Sequence, residues 1–190
     1  GFDSQLNKTS QDLFHGLSNE IGYDIGWHRK GSLTVMESDL EVEIARDFCK
    51  QLVLSGLPVR MLDKKEVHAD EPNLAEDIAG GMEVACDGSL NPMALVHGLA
   101  YAARKLGTRV ICNTAVTGIR VGSGKGVEAV ETDGGLIPTK HVVCCAGVWS
   151  PSIGAMAGIE VNIKPRQGQI LVSEKSVYVA RRRVTEFGYL

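Results

Sequence analysis

The chain has 190 residues, of which 44% are hydrophobic and 23% charged, and its formal net charge is −3. These values are ordinary for a folded domain, and they exclude a disordered, collagen-like or coiled-coil chain. So small a net charge gives no electrostatic argument for nucleic acid or an anionic membrane as a partner. No signal peptide or membrane-spanning run is visible in the sequence.

The cysteines are odd in number and none belongs to a CxxC pair. They stand at Cys49, Cys86, Cys112, Cys144 and Cys145. We interpret all five as reduced, buried thiols, and we therefore expect a cytoplasmic protein. No paired Cys/His spacing accompanies them, so we expect no metal site.

The first part of the chain predicts strands and then helices. Residues 21–36 mix β-forming residues with glycine, which predicts a hairpin or two edge strands. Ser38 and Glu41 have the spacing of a capping box and predict a helix start. Gly56 and Pro58 end that helix. Its predicted apolar stripe consists of Leu40, Ile44, Phe48 and Leu52, flanked by Ala45, Cys49 and Val53.

Two more helices follow, separated by a strand over residues 81–86. The first begins at Asp63 and ends near Pro72. The second follows the sequence DGSLNP, where Asn91 is a good N-cap and Pro92 fits the first helical position. Gly107 ends this helix, and its predicted buried row is Leu95, Leu99, Ala102 and Leu106.

The rest of the chain predicts mostly β-structure, arranged with the helices as interleaved layers and not as consecutive domains. Three close segments joined by glycine turns predict a meander. The run at 142–145 is apolar on both faces and predicts a central strand. The predicted strands are 109–112, 115–121, 127–132, 136–140 and 142–145, followed by a helix at 150–157 and further β-structure at 160–172 and 177–190.

Several local signals favour structural over functional roles. The sequence GSGKG at 122–126 lacks the Ser or Thr of a phosphate-binding loop, so it predicts a hairpin turn. No GxGxxG follows any predicted strand. The run Arg181 to Arg183 is interpreted as a solvated charge cluster. His28 lies in a predicted strand and stays open for a pocket role.

The sequence VVCCAGVWSP, residues 142–151, is the exception. Its predicted strand ends on Ala146 and Gly147, which would let a ligand approach the backbone closely. The ends of strands in open α/β sheets are common ligand sites. Tight packing of the strand against the following helix would require small residues equally well, and both interpretations stay open.

Three stretches in order resemble one family. They are DGSLNPMALVHGLAYAARKLGTRVICNTAVTGIR, VEAVETDGGLIPTKHVVCCAGVWSPSIGAMAG and IKPRQGQILVSE. Together they resemble the FAD-dependent D-amino acid oxidase, glycine oxidase and sarcosine oxidase superfamily over about residues 81–175. The fold this implies is mixed α/β: part of a Rossmann-like FAD-binding domain with a β-meander, interleaved with a mixed-sheet substrate domain.

The resemblance also implies a division of the chain and a set of cofactor contacts. Residues 1–86 and 159–190 would belong to the substrate domain, and residues 87–158 to the FAD domain. Ala146 and Gly147 would pack on FAD with Trp149 nearby, and Val116 would meet the adenine through its backbone. The parent enzyme would oxidise the C–N bond of an amino acid or secondary amine by hydride transfer to flavin, with oxygen, a quinone or a carrier as electron acceptor.

The sequence departs from the family at both ends. The family's first strand with GxGxxG and its second glycine-rich segment beside the flavin ring are absent. The arginine that commonly holds the substrate carboxylate would also lie beyond this chain. We therefore expect an internal fragment that binds FAD weakly or not at all and is inactive alone. No catalytic residue is assigned; Tyr189, Tyr178 and His28 are weak candidates.

Two other functions remain as alternatives. The chain could be a non-catalytic subunit or binding module that retains only this scaffold, and an oligomer or partner subunit is compatible with either function. An NAD-dependent Rossmann enzyme ranks last, because it needs the same missing fingerprint. A GxGxxG segment in the flanking coding sequence would favour the enzyme.

Overall fold

The computed structural model describes residues 2–124, 126–172, 174 and 180–188, with the side chains described from residue 6 onward. The chain forms two compact units. The first comprises Gly1–Arg109 together with Ser173–Leu190, and the second comprises Val110–Val172.

The first unit is built on a four-stranded mixed sheet. Its elements in chain order are α1 (Phe2–Ile21), β1 (Ser32–Met36), α2 (Asp39–Leu54), β2 (Val59–Asp63), α3 (Lys64–Asp70), β3 (Gly80–Val84), α4 (Pro92–Lys105) and, after the strands of the second unit, β7 (Arg183–Glu186). The strand order is β2-β3-β1-β7; β3 runs antiparallel to both of its neighbours, whereas β1 and β7 run parallel.

The prediction of a hairpin or two edge strands over residues 21–36 is wrong. Only β1 is a strand there, and it lies at the centre of the sheet with every residue buried. Ahead of it, His28 forms a single β-bridge with Ser89. Two elements were not predicted at all: α1, and β2, which is too short and too polar to show a clear alternation.

The helix caps are confirmed. The Ser38 hydroxyl accepts a hydrogen bond from the Glu41 amide at the start of α2. Asp63 and Glu66 form a complete capping box at the start of α3. Asn91 caps α4 by accepting from the amides of residues 93 and 94. These caps satisfy backbone amides that lack a partner inside the helix.

The predicted apolar stripe of α2 is only partly correct. Leu40, Ile44 and Phe48 are exposed. The helix instead packs on the sheet through a neighbouring face, which contributes Val42, Ala45, Cys49 and Leu52 to a core with Met36, Val59 and Met82. A second core on the opposite side of β1 contains Leu33, Val35, Leu62, Val67 and Ile78.

Helix α4 packs most closely through its glycine, and of its predicted buried row Leu95 and Ala102 are half-buried. Leu99 and Leu106 are exposed, contrary to the prediction, whereas Gly98 is buried. A Cβ added at Gly98 would lie 2.9 Å from Cδ1 of Ile21 and 3.0 Å from Cδ1 of Tyr23. Close contact with the end of α1 is therefore what requires a residue without a side chain here.

The second unit confirms the predicted meander. Strands β4 (Val116–Val121), β5 (Val127–Thr132) and β6 (Gly135–Pro138) pair antiparallel in the order β4-β5-β6. A single 3-10 turn, Gly147–Trp149, leads directly into helix α5 (Ser150–Met156), which packs against β4. The predicted helix at 150–157 is thus confirmed.

Several predicted strands are absent from the part of the chain that the structure describes. Residues 109–112, 142–145 and 160–172 are not strands, and Val143 is 85% exposed. A strand needs a neighbour for its backbone hydrogen bonds, and none of these runs has one among the described residues. Of the predicted β-structure at 177–190, the strand covers Arg183–Glu186; residues 177–179, 189 and 190 lie outside the described residues.

None of the helices described is both long enough and apolar enough to cross a membrane.

Candidate cofactor-binding turn and sheet cavity

The Ala146–Gly147 turn presents bare backbone. Gly147 adopts a φ of +55°, a conformation that favours glycine. A Cβ built on Gly147 would have no atom within 4 Å. The backbone surface here is therefore open among the described residues.

Tight packing of small residues occurs nearby, but at a different glycine. A Cβ on Gly154 of α5 would lie 2.7 Å from Cγ2 of Val161 and 2.8 Å from the carbonyl oxygen of Ile159. Packing therefore explains Gly154 and does not explain the open space at Gly147. Trp149, in the same turn, is 72% exposed.

The thiol of Cys144 lies close to this turn. Hydrogen bonds from the Ser150 hydroxyl and from the Ala146 amide lower the pKa of Cys144 below its ordinary value. Cys144, Cys145 and Cys112 are exposed, so the prediction of five buried thiols holds only for Cys49 and Cys86. The apolar composition of the run around Cys144 predicted burial, but the described residues leave these thiols exposed.

An apolar cleft of about 280 Å³ lies between the meander and α5. Ile119 of β4, Val142, Cys144 and Ile153 of α5 are among its lining residues. Val116 stands at the start of β4 and pairs with Thr132 of β5. In the described sheet β4 is an edge strand, so its other side is open to a backbone contact.

The structure thus brings Ala146, Gly147 and Trp149 together in one turn, and it places Val116 in the same unit. His28 belongs to the other unit, where it is exposed and its backbone pairs with Ser89. Tyr178 and Tyr189 lie outside the described residues.

Sequence reasoning missed a cavity of about 500 Å³ on one face of the sheet in the first unit. Three of the hydroxyl side chains that line it come from the sheet: Ser32 and Thr34 from β1, and Thr185 from β7. The strand register places Thr34 beside Thr185, and their hydroxyl oxygens are 3.3 Å apart. Alternate polar positions in SLTVM were a weak signal of this polar strip.

The loop between β3 and α4 forms part of the cavity wall. The Asp87 carboxylate accepts hydrogen bonds from the Gly88 amide at 2.8 Å and from Nε2 of Gln11 at 3.2 Å. A Cβ on Gly88 would lie 2.4 Å from the Trp27 ring, so glycine is required there. The indole N–H of Trp27 is buried and has no hydrogen-bond partner among the described residues.

The prediction that Arg181 to Arg183 form a solvated charge cluster is wrong for Arg182, whose side chain is only 9% exposed. Its guanidinium pairs with Asp70 and Glu83, and its Nε lies 3.7 Å from Oε1 of Glu71. Glu71 is buried and also accepts the Arg181 amide, at 2.8 Å and 3.1 Å. This cluster joins the residues before β7 to α3 and β3, so we assign it a structural role.

Comparison with known proteins identifies the family. Residues 3–188 match the model of the DAO family, described as FAD dependent oxidoreductase. The chain belongs to this family. The resemblance seen over about residues 81–175 is confirmed and extends over nearly the whole chain.

Individual DAO relatives cover most of this chain. Hydrogen cyanide synthase subunit HcnC of Pseudomonas aeruginosa is 29% identical over 90% of the chain and 41% of its own length. Mitochondrial sarcosine dehydrogenase of Mus musculus is 32% identical over 90% of the chain and 19% of its own length. The crystal structure of glycine oxidase from Geobacillus kaustophilus superposes with a TM-score of 0.74 at 32% identity, covering 79% of this chain and 41% of that one. The chain therefore spans less than half the length of these relatives.

Proposed function

We propose that the chain is the middle part of a longer FAD-dependent oxidoreductase that oxidises the C–N bond of an amino acid or secondary amine. The family match over residues 3–188 supports the cofactor. The names of two relatives, sarcosine dehydrogenase and glycine oxidase, support an amine substrate class. The oxidised product would be an imine, which water then hydrolyses.

The observation that carries the proposal is the open backbone at Gly147. Ala146 and Gly147 would lie along FAD, with Trp149 beside it and the free edge of β4 at Val116 meeting the adenine. An open glycine with a left-handed backbone fits a flat ligand, because no side chain of the described residues competes for that surface. FAD, when bound, would supply the redox chemistry by accepting a hydride from the substrate carbon.

The exposed apolar runs support a longer parent protein. Val143 and its neighbours have the composition of a central strand but no described partner. We propose that the rest of the parent pairs with residues 109–112 and 142–145, completing the FAD domain of residues 87–158. The isolated chain would then bind FAD weakly, because the contacts that the rest of the parent makes to the cofactor would be missing.

We further propose a cytoplasmic parent that works with a partner subunit or as an oligomer. The relative HcnC is itself named as a subunit of a synthase.

The test uses the complete protein in which this chain lies. We expect it to purify with flavin absorbance in the near-ultraviolet and blue, and to lose the blue band when an amine substrate is added without oxygen. Glycine, sarcosine, L-proline and D-alanine are the first substrates to try. A colourless complete protein would overturn the proposal and favour the binding module. A yellow protein that no amine bleaches would retain FAD but contradict the amine substrate class.

A further inference from the structure

Helix α2 carries a row of large apolar side chains that no described residue covers. Leu40, Ile44 and Phe48 follow one another at a spacing of four residues and are all exposed, while a different face of the helix packs on the sheet. Side chains four residues apart on a helix are neighbours, so these three form one ridge, which we call the outer row. Single exposed apolar residues are normal on a protein surface, but contiguous ones indicate an interaction surface.

Acidic side chains flank the outer row. Both Leu40 and Ile44 have an acidic residue three positions before them and another three positions after them. Neither has a Lys or Arg three or four positions away, where a side chain on the same face of the helix would lie. The acidic neighbours are Glu37, Glu41, Glu43 and Asp47.

Two of these four carboxylates have no described partner. Glu41 accepts the Glu37 amide at 2.7 Å, and Asp47 pairs with Lys50 at 2.8 Å. The carboxylates of Glu37 and Glu43 are exposed and form no hydrogen bond or ion pair within the described part of the chain. Attraction to the helix N-terminus fades beyond the first turn, so it does not account for Glu43 in the second turn. The outer row therefore lies beside negative charge that this chain leaves unneutralised.

The outer row ends at a recess. Phe48 is among the residues that line the sheet cavity of about 500 Å³. A helix bound by another protein typically contributes large apolar side chains at positions i, i+3 or i+4, and i+7. Side chains that enter a pocket provide most of the binding energy of an interface. A ridge that leads to a recess therefore fits one helix lying along α2.

We propose that the outer row binds a basic amphipathic helix of a partner subunit. The apolar face of that helix would pack on Leu40, Ile44 and Phe48, and its Lys or Arg side chains would lie opposite Glu37 and Glu43. A second copy of this chain fits less well, because a two-fold contact through this face brings the same acidic surface against itself and like charges repel. The inference rests on the proposed function only in the partner subunit, and not in FAD.

The test measures binding of a helical peptide to the complete protein. The probe is a fluorescein-labelled peptide of Leu and Lys, about 18 residues long, which is enough for a helix, with its leucines on one face. We expect fluorescence anisotropy to show saturable binding that weakens as salt is added. The same peptide with Glu in place of Lys should not bind.

A matched pair of variants tests the apolar contact. Ile44 and Val53 are 52% and 51% exposed, and they lie on opposite sides of α2, because nine residues span two and a half turns. Ile44→Gln should weaken binding of the Leu/Lys peptide about tenfold, through the lost burial of one large apolar side chain. Val53→Gln should leave the affinity unchanged.

A second pair tests the charge. Glu43→Gln should weaken binding of the Leu/Lys peptide about twofold to fivefold at low salt, which is the range of an exposed ion pair. Glu20→Gln removes the same charge from an exposed position on α1 and should have no effect. Equal effects of these two substitutions would show that the peptide responds only to net charge, and would overturn the proposal.

The other outcomes are also decisive. No saturable binding of the Leu/Lys peptide, or equal affinities of the Ile44→Gln and Val53→Gln variants, would overturn the proposal. A dimer in sedimentation velocity that Ile44→Gln alone dissociates would assign the outer row to a second copy instead. If Ile44→Gln lowers the free energy of unfolding of the complete protein far more than Val53→Gln does, the parent's own chain covers the row and the proposal is wrong. The α2 variants should keep their flavin, so failure of this test leaves the FAD proposal intact.

Discussion

The ion pairs of Arg182 connect the residue before β7 to α3, to Glu71 and to β3. The Arg182 guanidinium faces Asp70, Glu71 and Glu83, which come from α3, the residue after it and β3. Burial would raise the pKa of Glu83, but hydrogen bonds from Arg182 and Arg60 outweigh this and hold the pKa below its ordinary value. A buried cation with three carboxylates around it cannot be removed without leaving uncompensated charge.

Arg182→Met should therefore lower the free energy of unfolding by about 3 kcal/mol, the usual cost of breaking a buried ion pair. Arg181→Met is the matched control, because the Arg181 side chain is exposed and Glu71 uses only its backbone amide. We expect that control to change stability by less than about 0.5 kcal/mol. Urea unfolding followed by circular dichroism measures both, and equal effects of the two substitutions would contradict the structural role of Arg182.

The same cluster predicts a pH dependence. The pKa of Glu83 is lower in the folded chain than in the unfolded one, so Glu83 contributes stability above its ordinary pKa. That contribution should be lost as the pH falls through the lowered pKa. Arg182→Met, which removes one of the two hydrogen bonds holding the pKa down, should unfold with a shallower acid dependence than the unaltered chain. Identical acid dependence would show that the Glu83 pKa does not depend on Arg182.

Cys144 carries a prediction about reactivity. Because its pKa is lowered by Ser150 and the Ala146 amide, more of it is thiolate at neutral pH than of an ordinary exposed thiol. In a Cys145→Ser background, Cys144 should react with iodoacetamide faster than Cys112 does near pH 7. Ser150→Ala should move the Cys144 rate profile to higher pH. Peptide mapping by mass spectrometry gives the rates, and superimposable profiles with and without Ser150 would contradict this account.

At the scale of elements, two glycines distinguish helix propensity from packing. Gly16 lies in α1 with no atom within 4 Å of an added Cβ, whereas Gly98 of α4 faces Ile21 and Tyr23. Alanine is favoured over glycine inside a helix by about 1 kcal/mol. Overpacking a close contact costs roughly 1–3 kcal/mol.

Gly16→Ala should therefore raise the thermal midpoint of unfolding, and Gly98→Ala should lower it. Differential scanning calorimetry of both variants gives the comparison. If Gly98→Ala also stabilises the chain, the contact between α4 and the end of α1 is looser than the structure describes.

The same elements show what the sequence could predict. Helix starts were predictable because Ser38, Asp63 and Asn91 act within one turn of backbone. The buried face of α2 was only partly predictable. Ala45, Cys49 and Leu52, which the predicted stripe included, do pack on the sheet. Leu40, Ile44 and Phe48 of the same stripe are exposed although their spacing is equally regular. Which side of a regular amphipathic helix is buried depends on how the helix packs on the sheet. The polar floor of the cavity was missed because Thr34 and Thr185 become neighbours only through the pairing of distant strands.

At the scale of the whole molecule, the wrongly predicted strands are runs that have no adjacent strand among the described residues. The run at 142–145 is apolar on both faces and predicted a central strand, but it is exposed and is not a strand, because the described residues supply no adjacent strand. The family motifs around Ala146 and Gly147 nevertheless identified the family, because they record the contacts of the complete fold. Gly147 in the following turn is open among the described residues, and we propose that FAD lies along it.

That claim is tested most directly by comparing Gly147→Ala with Gly158→Ala in the complete protein. Both glycines have a positive φ, +55° and +70°, and neither has an atom within 4 Å of an added Cβ, so the backbone strain of the substitution is matched. We measure bound FAD per protein from the absorbance spectrum after purification. The account predicts that Gly147→Ala loses most of its FAD while Gly158→Ala keeps it. Equal FAD content in the two variants would contradict it.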